Sequence, residues 1–336
     1  MIRLAPFLLA LALAGCATLP PAEITQPTEV APYAAPDREL MVPVEGGRVY
    51  VRINGEIGRG TTPAVFIHGG PGGTHGVFMA NLGLADDRPV ILYDQLDSGR
   101  SDRPNDPANW RVERFVDELE AVRAALGVER WHVVGHSWGS AIALEYAVRH
   151  PEHVASTVLG GTFISTPRWI ADANLLIEEL PAATQATLTA CETETPPPPA
   201  ACAAATDEFY AEFNRREEPT AQARAYQESG GVGEGFNPVI YNAMWGPSEF
   251  RSRGSLKTYD AVPLLARIDG DTTLFLIGQY DSARIDTVQQ FVELTPGAEF
   301  GVVPGAAHGF FTDRPHETEA ILRAWFARND PERDRP

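Results

Sequence analysis

From about residue 39 onward, short apolar runs recur along the chain: RVYVRI, AVFIHG, VILYDQ, WHVVGH, STVLGG, LFLIG and FGVVPG. Between several of them the apolar positions fall at helical spacing, as in ERFVDELEAVRAALG and SAIALEYAVRH. Strands alternating with helices predict a mainly parallel sheet covered on both faces. In such sheets functional groups gather on the loops beyond the carboxyl ends of the strands, so the strand exits are where chemistry is expected. The stretch ATLPPAEITQPTEVAPYAAPDRE has neither period and carries five prolines. It reads as an extended tether over residues 16–38. No internal repeat is present.

Ahead of the tether, MIRLAPFLLALALAGC has one early cation, Arg3, then an apolar run too short to span a bilayer, then small residues. That pattern is a secretory signal over residues 1–15. Its end, Leu13-Ala14-Gly15-Cys16, resembles the lipobox of bacterial lipoproteins, which implies that Cys16 becomes a lipid-modified N-terminus. A lipid anchor would hold the chain to the membrane on the periplasmic side of the envelope without a spanning helix. Ala17, where an aspartate would resemble an inner-membrane retention signal, favours the outer membrane. A plain signal peptide with a chance cysteine is the alternative.

The 336 residues, 44% of them hydrophobic, suffice for one large domain or a domain with an insertion. The formal charge of −18 comes from scattered acids, which describes a solvated acidic surface. It repels nucleic acid, and no basic stripe offsets it.

The exit of WHVVGH is the most informative. Ser137 lies in Gly135-x-Ser137-x-Gly139, after a strand and before a helix. A nucleophilic serine on a sharp strand-to-helix turn needs glycines two residues away on both sides, because a Cβ there collides with the backbone. Asp281 follows the run TLFLIG, and His308 follows FGVVPG in PGAAHGFF. The chain order Ser, Asp, His is that of the α/β-hydrolases. In this scheme His308 takes the serine proton, and Asp281 fixes the imidazole tautomer and stabilises the imidazolium. HGGPGG, His68 to Gly73, leaves another exit; its Gly70 N–H and the Trp138 N–H are the expected oxyanion donors.

HGGPGG, YDQLDSGRSDRP, GHSWGS, MWGPSEF, GQYD and GAAH together resemble the prolyl aminopeptidase (proline iminopeptidase) family of α/β-hydrolases, in family order over residues 68 to 308. The resemblance implies an eight-stranded hydrolase core, residues 39–162 and 256–330, with a mainly helical cap inserted over 163–255. It implies no metal and no organic cofactor, and a small peptide or amino-acid amide as substrate. The cap region carries Cys191 and Cys202 on either side of a proline run. An oxidising compartment favours their pairing, with two free thiols as the alternative.

Family members that remove N-terminal residues hold the substrate ammonium with carboxylates. The resemblance places one at Glu249, in GPSEF. A second would follow the triad aspartate, where this chain has Ser282. The loss of one charge-assisted contact costs about 1.5–3 kcal/mol. Asp97, in DQLDSGRS, departs from the family's Gly-Cys at positions 97 and 98. It is read either as a replacement negative charge near the pocket or as a solvated loop acid. Trp138 and Trp245 are expected to pack the substrate side chain. Three functions stay open: a serine aminopeptidase or amidase, an esterase or lactonase with a weakened amine pocket, and a non-catalytic binding module. The complete Ser137, Asp281 and His308 set argues against the third. Oligomeric state is not legible.

Overall fold

The computed structural model describes residues 30–330, apart from 59, 60, 194 and 248. The expected signal peptide, Cys16 and the first part of the tether lie outside the described residues. One eight-stranded sheet forms the centre: β1 (Arg38–Val44), β2 (Gly47–Asn54), β3 (Ala64–Ile67), β4 (Val90–Tyr93), β5 (Trp131–His136), β6 (Val154–Gly160), β7 (Thr273–Gly278) and β8 (Glu299–Val303). Their order is β1-β2-β4-β3-β5-β6-β7-β8. β1 and β2 pair antiparallel, β2 joins β4 antiparallel, and every other pairing is parallel.

The central strands are continuous apolar runs because both faces are covered. Val65, Ile67, Ile91 and Val133 pack with α1 (Val112–Leu126), α2 (Trp138–Arg149) and, further along the sheet, α8 (Ile285–Glu293). Phe66, Leu92, Val134 and Leu276 face the other way, toward Phe78, Leu322, Trp325 and Phe326. Between β6 and β7 the chain leaves the sheet and builds α3 (Thr166–Ile177), α4 (Ala182–Cys191), α5 (Pro199–Phe213), α6 (Ala221–Glu228) and α7 (Pro238–Met244). After β8 come α9 (Phe310–Asp313) and α10 (Pro315–Asn329).

The inserted helices have a core of their own, built from Leu176, Leu180, Leu188, Phe209, Phe213 and Phe250. Their base is closed later than residue 255. Ser165 bridges Asp260, Thr166 N–H donates to Tyr259, and Ala261 N–H donates to Ile164. Cys191 and Cys202 are joined, with Cα atoms 5.8 Å apart, tying the end of α4 to the first turns of α5. Closing a loop of that size contributes about 2–3 kcal/mol.

The tether ends earlier than residue 38. Tyr33 stacks edge-on against Tyr226 of α6 at 5.6 Å. The carbonyl oxygens of Ala34 and Ala35 accept from Arg52 and Asn54, and Asp37 N–H donates to Ile53. From Tyr33 the chain is therefore part of the folded unit. Among the described residues no helix is long and apolar enough to cross a membrane.

Candidate active site

The turn from β5 into α2 places Ser137 at φ 55° and ψ −124°, outside the ordinary regions for a side-chain-bearing residue. Its N–H is held by the Gly160 carbonyl at 2.8 Å. Space, not only torsion, requires the flanking glycines. A Cβ on Gly135 would stand 2.2 Å from the Gly139 carbonyl oxygen, and one on Gly139 would stand 2.1 Å from that of Ile67. The expectation from the Gly-x-Ser-x-Gly spacing thus has a steric cause.

β7 delivers Asp281 and β8 delivers His308. The His308 Nδ1 and Asp281 Oδ1 are 2.7 Å apart. Asp281 is itself held by the N–H groups of Ala283 at 2.8 Å and Gly278 at 3.2 Å. With Nδ1 so engaged, Nε2 is the nitrogen left for chemistry. Burial depresses the His308 pKa, but the charge and hydrogen bond of Asp281, with a smaller contribution from Glu249, overcome it and leave the pKa raised. His136 Nε2 donates to the His308 carbonyl at 2.8 Å. Burial, then repulsion from His308, brings the His136 pKa down to about 3, so this second imidazole stays neutral.

The cap fastens both loops. The carbonyl of Phe213, at the end of α5, accepts from Ser282 N–H at 3.0 Å and from His308 N–H at 3.1 Å. The next carbonyl, Asn214, accepts from Gly309 N–H at 2.6 Å. Asp313 completes the joint, its carboxylate taking the N–H groups of Arg216, Glu217 and Ala307.

Ser137 and His308 face a cavity of about 490 Å³ whose wall also includes Gly70, Phe163, Trp169, Tyr210, Tyr241, Trp245 and Glu249. Glu249 is the one carboxylate among the described lining residues. It accepts hydrogen bonds from the Tyr241 hydroxyl and the Trp169 indole. Burial raises its pKa, and those bonds and the nearby His308 only partly oppose the shift. An arriving cation would therefore favour the ionised form strongly. Trp169 also packs edge-on to His308, with ring centres 5.3 Å apart. Trp245 sits in the wall, 5.4 Å from the Phe163 ring.

Three expectations are corrected. The Trp138 indole is buried against Phe115, donates to Gln95 at 3.0 Å and does not line the cavity. Its backbone N–H is the first of α2 and so has no intrahelical acceptor. Asp97 is neither a pocket charge nor a solvated acid. It is fully buried, and its carboxylate accepts from Asn105 N–H at 2.7 Å and the Trp110 indole at 2.8 Å. Its work is to hold its own loop, to which Asn237 also bonds through the Asp97 carbonyl. Ser282 stands behind the main wall. It borders a separate space of about 10 Å³ shared with Glu249, Trp169, Tyr210 and Asn214, and its buried hydroxyl has no hydrogen-bond partner among the described residues.

Trp169, Tyr210 and Tyr241 were not anticipated from sequence. Tyr241 had a local signal, lying one helical turn before Trp245 in YNAMWGPSEF. Trp169, in TPRWIAD, had none.

Residues 62–315 match the family model described as alpha/beta hydrolase fold. The chain is 37% identical to a proline iminopeptidase of Heyndrickxia coagulans over 84% of its own length and 96% of the relative's. It is 31% identical to a proline iminopeptidase of Levilactobacillus brevis, covering 87% of this chain and 97% of that one. The crystal structure of proline iminopeptidase from Mycobacterium smegmatis superposes with a TM-score of 0.76 at 32% identity, covering 87% of this chain and 98% of the other.

The packing around His308 yields a test. Gly161 has φ +50°, and a Cβ there would stand 2.7 Å from Cε1 and 2.8 Å from Nδ1 of His308. Gly161→Ala should displace the ring and lower turnover by about a hundredfold. The backbone strain should cost no more than about 1–3 kcal/mol of stability. Wild-type turnover from a folded Gly161→Ala protein would contradict this placement of the ring.

Proposed function

The chain belongs to the proline iminopeptidase family of α/β-hydrolases, and we propose that it releases N-terminal proline from short peptides through an acyl-enzyme on Ser137. The Ser137 hydroxyl attacks the carbonyl carbon as its proton passes to His308 Nε2. The developing oxyanion is received by the N–H groups of Trp138 and Gly70. Asp281 keeps the imidazole in the right tautomer and stabilises its cation. Collapse of the tetrahedral intermediate transfers the proton from His308 to the leaving nitrogen. A water deprotonated by His308 then attacks the acyl-enzyme and frees proline.

The observation that carries this reading is Glu249, a carboxylate on the wall of the same cavity as Ser137 and His308. A peptide with a protonated N-terminus can place its cation there while its first carbonyl lies at the serine. The aromatic walls from Phe163, Trp169 and Trp245 suit a compact apolar ring. The esterase reading keeps one specific support. Ser282 supplies a hydroxyl where a second carboxylate would strengthen the grip on an amine, and no other acid lines the cavity among the described residues.

We also propose that Cys16 carries the lipid anchor and that the folded unit stands on the periplasmic side of the envelope, at the outer membrane. The motif Leu13-Ala14-Gly15-Cys16 and the Cys191–Cys202 disulfide support this, because a persistent disulfide fits an oxidising compartment. Cells given labelled palmitate should label the wild-type chain and not Cys16→Ser; equal labelling of the two would refute the anchor.

Glu249→Gln tests the amine site. With prolyl arylamide its KM should rise roughly ten- to a hundredfold, the loss of one charge-assisted contact. Turnover number and the hydrolysis of a simple ester without an amine should fall far less. Loss on the ester equal to loss on the arylamide would favour the esterase reading.

A further inference from the structure

Arg215 is the one arginine or lysine among the described residues lining the cavity. It is exposed, and its guanidinium makes no hydrogen bond or ion pair with another described residue. Its neighbours behave differently. Arg216 pairs with Glu212 at 2.9 Å and lies over the Tyr280 ring, and Arg314 pairs with Glu217 at 2.5 Å. In a chain with 45 acids against 27 basic residues, an arginine without an acid is not explained by any shortage of acids.

Its position relative to the base is set by the stitching of the cap. Phe213 and Asn214 accept from the backbone of His308 and Gly309 just before it, and Asp313 takes the N–H groups of Arg216 and Glu217 just after it. The Arg215 Cβ lies 3.8 Å from where a Cβ on Gly309 would be. Arg215 thus rises from the flank of the histidine loop, and Gly309 and Thr312 of that region line the cavity with it.

This is the side from which a leaving group departs. His308 hands its proton to the leaving nitrogen, so whatever is attached to that nitrogen lies toward the histidine loop. In a dipeptide a single carbon separates the leaving nitrogen from a free carboxylate. A guanidinium fork matches that carboxylate in a bidentate manner. The net charge of −18 disfavours any anion near the mouth, so a carboxylate there needs a cation dedicated to it. The exposed Phe236 and Val77 in the same lining offer apolar contact to the second residue's side chain.

We propose that Arg215 binds the free carboxylate of the leaving amino acid, making unblocked dipeptides with an apolar second residue the preferred substrate class. Glu249 then reads one end of the zwitterion and Arg215 the other. The proposal rests on the aminopeptidase reading of the site.

The test compares prolyl-leucine with prolyl-leucinamide, which lacks only the carboxylate. Wild type should favour the free acid by about tenfold in kcat/KM, chiefly through KM and less so at high salt. In Arg215→Gln, checked for fold by circular dichroism, the acid-to-amide ratio should fall to about one. Arg215→Lys, which keeps the charge without the fork, should give an intermediate ratio. Equal rates for acid and amide in wild type, or a preference that survives Arg215→Gln, overturns the proposal. Calorimetry on Ser137→Ala with the same two ligands separates this proposal from the reaction itself. Tighter binding of the acid that depends on Arg215, without any turnover by wild type, would sink the aminopeptidase reading and spare the carboxylate site. Acid bound no more tightly than amide would overturn the carboxylate site whatever the turnover.

Discussion

The candidate chemistry of this molecule depends on one backbone carbonyl. Phe213, the last residue of α5, accepts from the N–H groups of both Ser282 and His308. These belong to the two loops that carry the acid and the base, and the 2.7 Å contact between Asp281 and His308 is made where that carbonyl joins them. A buried N–H deprived of its acceptor costs about 1–3 kcal/mol, so separating the cap from either loop is disfavoured twice over. The cap is therefore part of the frame of the site and not only its roof. The Cys191–Cys202 bond secures the other end of the same helix to α4.

Electrostatics link Glu249 to His308. Glu249 helps to raise the His308 pKa, and His308 helps to restrain the upward shift of Glu249. A substrate ammonium on Glu249 would offset the carboxylate's support of the imidazolium and leave His308 readier to act as a neutral base. Binding of the N-terminus and strength of the base are then coupled through one carboxylate. This is a physical reason for an amine-reading group to stand close to the histidine.

What was legible in the sequence was what the local chain dictates. Ser137 is announced by glycines that the backbone geometry itself requires, Asp281 by an apolar run buried on both faces, and His308 by the short apolar run of the half-exposed edge strand β8. The exposed edge strand β1 buries little beyond Val42 and left no such run. Asp97 was misread because a loop acid in sequence does not disclose that an indole thirteen residues further on will cover it. The Trp138 side chain was misread because the elbow that offers a residue's N–H to the cavity turns its side chain into the core. The tether was drawn too long because prolines describe local stiffness and not whether Tyr33 finds Tyr226. Trp169 comes from α3, and Tyr210 and Arg215 from the last turn of α5 and the residues after it; only the folded insertion brings them to one wall.

The central claim is that this cavity reads a free N-terminus beside an acyl-transfer serine. It is tested most directly by the ratio of kcat/KM for prolyl arylamide to that for its N-acetylated form. Acetylation removes the cation and leaves the scissile bond intact. The account predicts that the free amine is preferred by roughly a hundredfold, the upper range for one charge-assisted contact. Equal rates for the two substrates would contradict it.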